Sequence, residues 1–274
     1  MIRNVLILLT MLLVGCVAAP AAPTTAAPVA TAPLMLSPTL SPTPLVPDSG
    51  WQQVQPGLEQ RIINLVDDAG AWQENITLLR LDPFTYRFDV AYQPGAPLSL
   101  TAWQAQTGAL LVVNGGFYTK AYEATGLVVS SGEVYGSSYG DFAGMLAVTA
   151  AGPEVRWLRQ RPYDPTEPLL AALQSFPMLV RPGGVLGFPD EDGQQARRTV
   201  VAQDGAGRVL FLVATLGHFT LYQLSHYLAS SDLDIDVALN LDGGPSSGML
   251  LAEPRVHVPS FSLLPTVITV FPDS

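Results

Sequence analysis

The sequence predicts an α+β domain, strand-dominated, with a mixed β-sheet and a few helices. Three observations carry this: short β-branched runs recur, turn chemistry separates them, and helical periodicity is sparse and never alternates regularly with strands. In chain order, strands are expected at Ile76–Leu81, Tyr86–Tyr92, Leu110–Val113, Leu127–Val129, Met145–Val148, Val200–Ala202, Val209–Ala214, Val237–Leu239 and Val267–Phe271. The turns between them include Asp82-Pro83, Ser131-Gly132-Glu133, Ala151-Gly152-Pro153 and Asp204-Gly205-Ala206-Gly207, where glycine, proline and aspartate supply the required backbone angles. Helices are expected over Leu98–Gln106, with Ser99 or Thr101 as cap, over Pro168–Gln174 on a weaker signal, and over Thr220–Ala229. In the last, Leu221, Leu224 and Leu228 share a face and Thr220 stands at the N-cap.

Ahead of this domain the chain changes character. Arg3 precedes the apolar stretch Val5 to Val14, the charged start and short hydrophobic region of a secretory signal, too short to span a bilayer. Leu13-Val14-Gly15-Cys16 closes it and resembles a bacterial lipobox. That likeness makes residues 1–15 a lipoprotein signal peptide and Cys16 the lipidated first residue of the mature chain, anchored at the membrane of a bacterial cell envelope with its domain on the extracytoplasmic side. Cys16 is the only cysteine, so a lipidated chain keeps no thiol for disulfides, catalysis or metal binding. Residues 16–50 are rich in Pro, Ala and Thr, with prolines at 20, 23, 28, 33, 38, 42, 44 and 47. Proline at that density favours extended conformations, so this segment reads as a tether. Residues 51–274 then make one sizeable domain. The formal charge is −10 and Lys120 is the only lysine, which argues against nucleic-acid binding.

Chemistry concentrates in two glycine-rich strings, each after an apolar strand: Asn114-Gly115-Gly116-Phe117-Tyr118 and Asn240-Leu241-Asp242-Gly243-Gly244-Pro245-Ser246-Ser247. Either alone reads as a turn. As a pair they describe a pocket floor, in which strands deliver an amide and a carboxylate, and glycines leave room for a ligand against bare backbone. The second string is expected to offer backbone N–H groups and two hydroxyls to an oxyanion or sugar ring. Arg197-Arg198-Thr199 leads into another strand; an arginine there is either paired at the surface or a fork for phosphate or carboxylate. The acidic loop Asp190-Glu191-Asp192-Gly193 could attract calcium, but it is too short and irregular for an EF-hand and reads as a solvated turn. No His-Glu-x-x-His site or Walker loop occurs, which removes the zinc-dependent and P-loop hydrolase classes.

The ordered set NGGFY, GLVVSSGEV, FAGMLAV, QSFPMLV, ARRT, a Gly217-to-Leu221 helix start and ALNLDGGPSS resembles the phosphodiester glycosidase family, from about Ala109 to the C-terminus. The resemblance implies hydrolysis of a sugar joined through its anomeric carbon to a phosphodiester. Asp242 would be the acid/base or charge-stabilising carboxylate, Arg198 or else Arg197 the phosphate clamp, and Asn114 and Asn240 the groups that orient substrate or Asp242. Gly115, Gly116, Gly243 and Gly244 would permit close approach, and Ser246, Ser247 and Thr199 would add hydrogen bonds. If the chain works like an ordinary glycosidase a second carboxylate is needed, with Glu123 and Asp141 as candidates. Two departures bear on substrate choice: Pro245 replaces a glycine common in the family, and Thr119-Lys120 stands where many relatives carry an aspartate. A different class of function, a tethered protein that binds glycans without turnover, is compatible with the same anchor, tether and departures.

Overall fold

The computed structural model describes residues 46–67 and 70–273; the signal segment, Cys16 and nearly all of the tether lie outside them. Pro44–Ser274 make up one compact unit. The chain enters it earlier than composition indicates. Asn64 donates from its side chain to the Val46 carbonyl at 2.8 Å, and Asp48 receives Arg61 at 2.5 Å, so residues 46–50 already run along the sheet.

The described residues form eighteen strands and two α-helices. The strands are β1 (Gln52–Gln55), β2 (Leu58–Val66), β3 (Trp72–Leu81), β4 (Tyr86–Tyr92), β5 (Leu111–Asn114), β6 (Val128–Ser130), β7 (Glu133–Tyr135), β8 (Gly144–Thr149) and β9 (Gly152–Trp157). They continue with β10 (Ala171–Ser175), β11 (Met178–Arg181), β12 (Val185–Leu186), β13 (Arg198–Asp204), β14 (Val209–Ala214), β15 (Ile235–Asn240), β16 (Met249–Leu251), β17 (Val256–Val258) and β18 (Thr266–Pro272). They assort into an eight-stranded sheet, β1-β2-β3-β14-β13-β15-β11-β12, and two five-stranded sheets, β7-β6-β10-β8-β9 and β17-β16-β5-β18-β4.

The domain is strand-dominated as expected, but the expected mixed sheet is corrected. Every ladder among the described strands is antiparallel. Parallel neighbours need long crossovers, usually helical, and these strands are joined mainly by turns. The weak helical signal at Pro168–Gln174 is corrected too: Ala171–Ser175 is β10, buried along its length between β6 and β8. Burial overrides the helix propensity of Ala-Ala-Leu-Gln.

One core fills the space between the three sheets. It combines Phe211 and Leu239 of the large sheet, Leu146 and Leu173 of the second, and Val113 and Ile268 of the third. Period-two alternation sends neighbouring side chains the other way: in β13, Val201 enters this core, whereas Val200 and Ala202 join Leu224 and Leu228 of α2 (Leu221–Ser230) on the outer face. Helix α1 (Leu100–Thr107) covers the third sheet through Leu100 and Trp103. Both helices start where the caps predict. The Ser99 hydroxyl accepts from Ala102 N, and Thr220 and Gln223 form a reciprocal capping box. No helix among the described residues is long and apolar enough to cross a membrane.

Candidate active site

The two glycine-rich strings meet. Strand β5 ends in Asn114 on the third sheet and β15 ends in Asn240 on the first. The Asp242 N–H donates to the Gly115 carbonyl at 3.1 Å. Asn114, fully buried, uses every polar atom of its amide: Nδ2 donates to the Asp242 carbonyl at 2.8 Å, while Oδ1 accepts from Thr199 Oγ1 at 2.7 Å and Gly248 N at 3.0 Å. It is a clasp between sheets that fixes the backbone carrying Asp242, and Thr199 is consumed in the same clasp.

Asn240 does comparable work on the other side. Its Nδ2 donates to the Phe176 carbonyl at 2.9 Å and its N–H to the Pro177 carbonyl at 3.0 Å, holding the Phe176-Pro177 turn, whose peptide bond is cis. Asn240 Oδ1, Ser175 Oγ and Ser247 Oγ are buried with no protein partner.

Not every glycine opens toward a ligand. A Cβ on Gly115 would lie 2.8 Å from the Thr266 carbonyl, and one on Gly116 2.9 Å from the Gln174 carbonyl. Gly115 lets β18 of its own sheet close on it and Gly116 lets β10 of the second sheet do so, so the room expected there for substrate is filled by protein. Gly244 differs: it has φ +58° and open space where a side chain would be. The expected supply of backbone N–H groups is likewise already used. Gly243 N donates to Asp242 Oδ1, Gly244 N to the Arg197 carbonyl, Ser246 N to Gly243, and Ser247 N to Gly244, while Pro245 has none to give. Any anion held here is held by side chains.

Asp242 is half-buried. Burial raises its carboxyl pKa above the ordinary value of 3.8, opposed by hydrogen bonds from the Ser246 side chain and Gly243 N. Ser246 Oγ also lies 3.1 Å from the Tyr118 hydroxyl and 3.2 Å from Ser262 Oγ. On the β13 side, Arg198 is 8 % exposed. Its Nε and Nη2 donate to the carbonyls of Phe219 and Gln194, and its Nη1 lies beside Gly243, 3.8 Å from where a Cβ there would stand. Burial pushes this guanidinium down from its ordinary value, with Asp192 acting the other way. Arg197 packs under Phe261, 4.6 Å from the ring centre, with Nε and Nη1 buried and unpartnered. Burial lowers it as well, against Glu74. An arginine stays charged throughout the working pH range, so for both residues desolvation amounts to a standing demand for an anion.

Glu123 is exposed on the turn after Thr119, which donates to the Glu123 carbonyl at 2.8 Å. Asp141 is exposed and lies 3.5 Å from Arg159. In the acidic loop, Glu191 accepts from the Thr220 hydroxyl and from Gly193 N. No group of three His, Cys, Asp or Glu side chains suited to a metal ion occurs among the described residues.

Sequence reasoning missed the aromatic side. Tyr139 lies close enough to Asp242 for its phenol to be raised by that charge, in addition to the larger effect of burial. Its ring meets Phe176 edge-on at 5.1 Å, Phe142 lies 5.7 Å from Phe176, and Phe117 packs on Phe176 at 4.6 Å. Four quoted motifs carry this cluster. Phe117 lies in the first glycine string, Phe142 opens FAGMLAV, Phe176 sits in QSFPMLV, and Gly126 of GLVVSS leaves the space the Tyr139 ring fills, since a Cβ there would fall 2.4 Å from that ring. The dense aromatic spelling Tyr139-Gly140-Asp141-Phe142 in a polar loop was the available signal.

The sequence profile of the phosphodiester glycosidase family matches residues 107–271, more than half of the chain. Among solved structures, the chain is similar to the catalytic domain of zebrafish N-acetylglucosamine-1-phosphodiester alpha-N-acetylglucosaminidase, auto-inhibited by its pro-peptide. The TM-score is 0.63 at 18 % identity, covering 81 % of this chain and 86 % of that one. It is also similar to a hypothetical protein from Synechocystis, with TM-score 0.56 at 13 % identity over 80 % of this chain and 62 % of that one. A Burkholderia pseudomallei protein described as exported has TM-score 0.55 at 14 % identity over 73 % and 74 %. At these identities the three structures establish the fold. No curated protein matches the sequence.

Proposed function

The chain belongs to the phosphodiester glycosidase family, and we propose that it hydrolyses sugar-1-phosphodiesters of envelope or extracellular glycoconjugates, releasing free sugar and a phosphomonoester. The observation that carries this reading is Asp242: a half-buried carboxylate with a raised pKa, on a loop whose next residue, Gly243, lies against Arg198 and whose Gly244 N–H is held by the Arg197 carbonyl.

The chemistry follows from that placement. Water adds to the anomeric carbon and gives up a proton to solvent, the bond from that carbon to the phosphate oxygen breaks with its electron pair leaving on oxygen, and that oxygen takes up a proton. Asp242, whose carboxyl pKa is raised by burial, supplies it as general acid. Arg198 Nη1 meets the phosphate charge, in a place where main-chain donors are already engaged. Asn114 fixes the backbone of Asp242 and Asn240 fixes the turn opposite, so both act through position. In this reading the chain is exported and held at the membrane by lipid on Cys16, supported by the Leu13-to-Cys16 string.

The test is sugar release from aryl-phosphate diesters of several sugars by the full chain and by Asp242→Asn. Loss of a general acid costs roughly 10²- to 10⁴-fold in rate. Release by the wild type that persists in Asp242→Asn overturns the role given to Asp242. No release from any sugar overturns the hydrolytic reading in favour of glycan binding without turnover.

A further inference from the structure

We propose that the cluster of Phe117, Tyr139, Phe142 and Phe176 is the sugar subsite, taking the C–H face of a pyranose ring, while the phosphate lies on the opposite flank of β15. This rests on the hydrolytic reading and assigns the two ends of its substrate.

The argument is topological first. Strand β15 delivers Asp242, and its two neighbours in the sheet are β11 and β13. The entrance to β11 is Phe176-Pro177, bonded to Asn240. The entrance to β13 is Arg198-Thr199, where Thr199 O accepts from Leu241 N. The aromatic rings and the arginines therefore enter on the two strands that border the one ending at this carboxylate. Two strand spacings separate them, about 10 Å, enough for one sugar ring and the phosphate on its anomeric oxygen. Cations can only suit the phosphate end, so the sugar falls to the rings.

The exposure of the cluster supports an occupant. Aromatic side chains of the core are closed off, as Phe211 and Phe88 are at 0 % and 3 % exposed. Phe142 is 57 % exposed, and Phe117, Tyr139 and Phe176 remain only half-buried. Rings gathered on each other at a strand mouth, next to a carboxylate, leave apolar area in water that a sugar's C–H face would cover. Two ordered polar groups border it. The Tyr139 hydroxyl is hydrogen-bonded to Thr125 Oγ1, and the Tyr139 N–H is held by Gln174 Oε1 at 2.9 Å, which fixes the ring against rotation out of the site.

Calorimetric binding separates this proposal from the hydrolytic one. Methyl pyranosides and inorganic phosphate are titrated in turn into the full chain, Phe142→Ala, Tyr139→Leu and Arg198→Lys. The expected result is that the wild type binds at least one methyl pyranoside, and that each aromatic variant weakens it about three- to tenfold without changing phosphate affinity. Arg198→Lys weakens phosphate and spares the sugar. Sugar affinity unchanged in both aromatic variants, equal loss of sugar and phosphate affinity, or no sugar binding by the wild type would each overturn the assignment. Failure of the hydrolytic reading looks different: the pyranoside binds and responds to the aromatic variants, yet no diester is cleaved.

Discussion

A single carboxylate sets opposite demands on this protein. Because burial raises the Asp242 pKa, its contribution to stability is complete below the ordinary carboxylate pKa and is lost as pH rises through the raised value. At neutral pH, then, Asp242→Asn should unfold at a temperature no lower than the wild type while losing its activity, the trade expected of a functional site. A differential melting scan at pH 7 and pH 4 checks this, and the advantage of the variant should shrink at the lower pH. The rate should fall as pH rises through the raised pKa, since the acid form is the one that donates. Asn114 has the reverse profile. Asn114→Ala leaves the Asp242 carbonyl, the Thr199 hydroxyl and the Gly248 N–H without their buried partner, at roughly 2–4 kcal/mol of stability, measurable by denaturant unfolding. At this scale Asp242 and the arginines were legible, because glycines and a scarcity of cations make polar residues stand out. The aromatic cluster was not, because Phe117 and Phe176 join Tyr139 and Phe142 from segments far apart in sequence.

Among the elements, legibility followed β-branched and aromatic composition. Strands β4 and β14 match their apolar runs to the residue, and both helices announce themselves by caps. Strand β2 was passed over because Glu59 and Arg61 interrupt its pattern. Arg61 is 7 % exposed there because Asp48 and Asp232 neutralise it, a compensation only the fold reveals. Strand direction is invisible in a local pattern as well, which is how a mixed sheet was expected where antiparallel ladders stand. The Thr220 cap is a fair test of what was readable. Thr220→Ala removes the bond to Gln223 N and the contact with Glu191, and should cost about 1 kcal/mol, seen as a shift in urea midpoint at constant m-value.

For the molecule as a whole, the candidate site exists only where sheets converge. Residue 114 comes from one sheet, residues 199 and 242 from another, and Phe176 from the exit of a third. The inner neighbour of β5 is β18, which pairs Val267 with Asn114, and the Thr266 carbonyl receives Gly115 N at 3.0 Å. A chain growing from its N-terminus therefore makes both glycine-rich strings well before it makes the strand that seats the first of them. The first string therefore waits, unseated, for residues made about 150 positions later, and a fragment cut short of β18 should lose whatever activity the whole domain has.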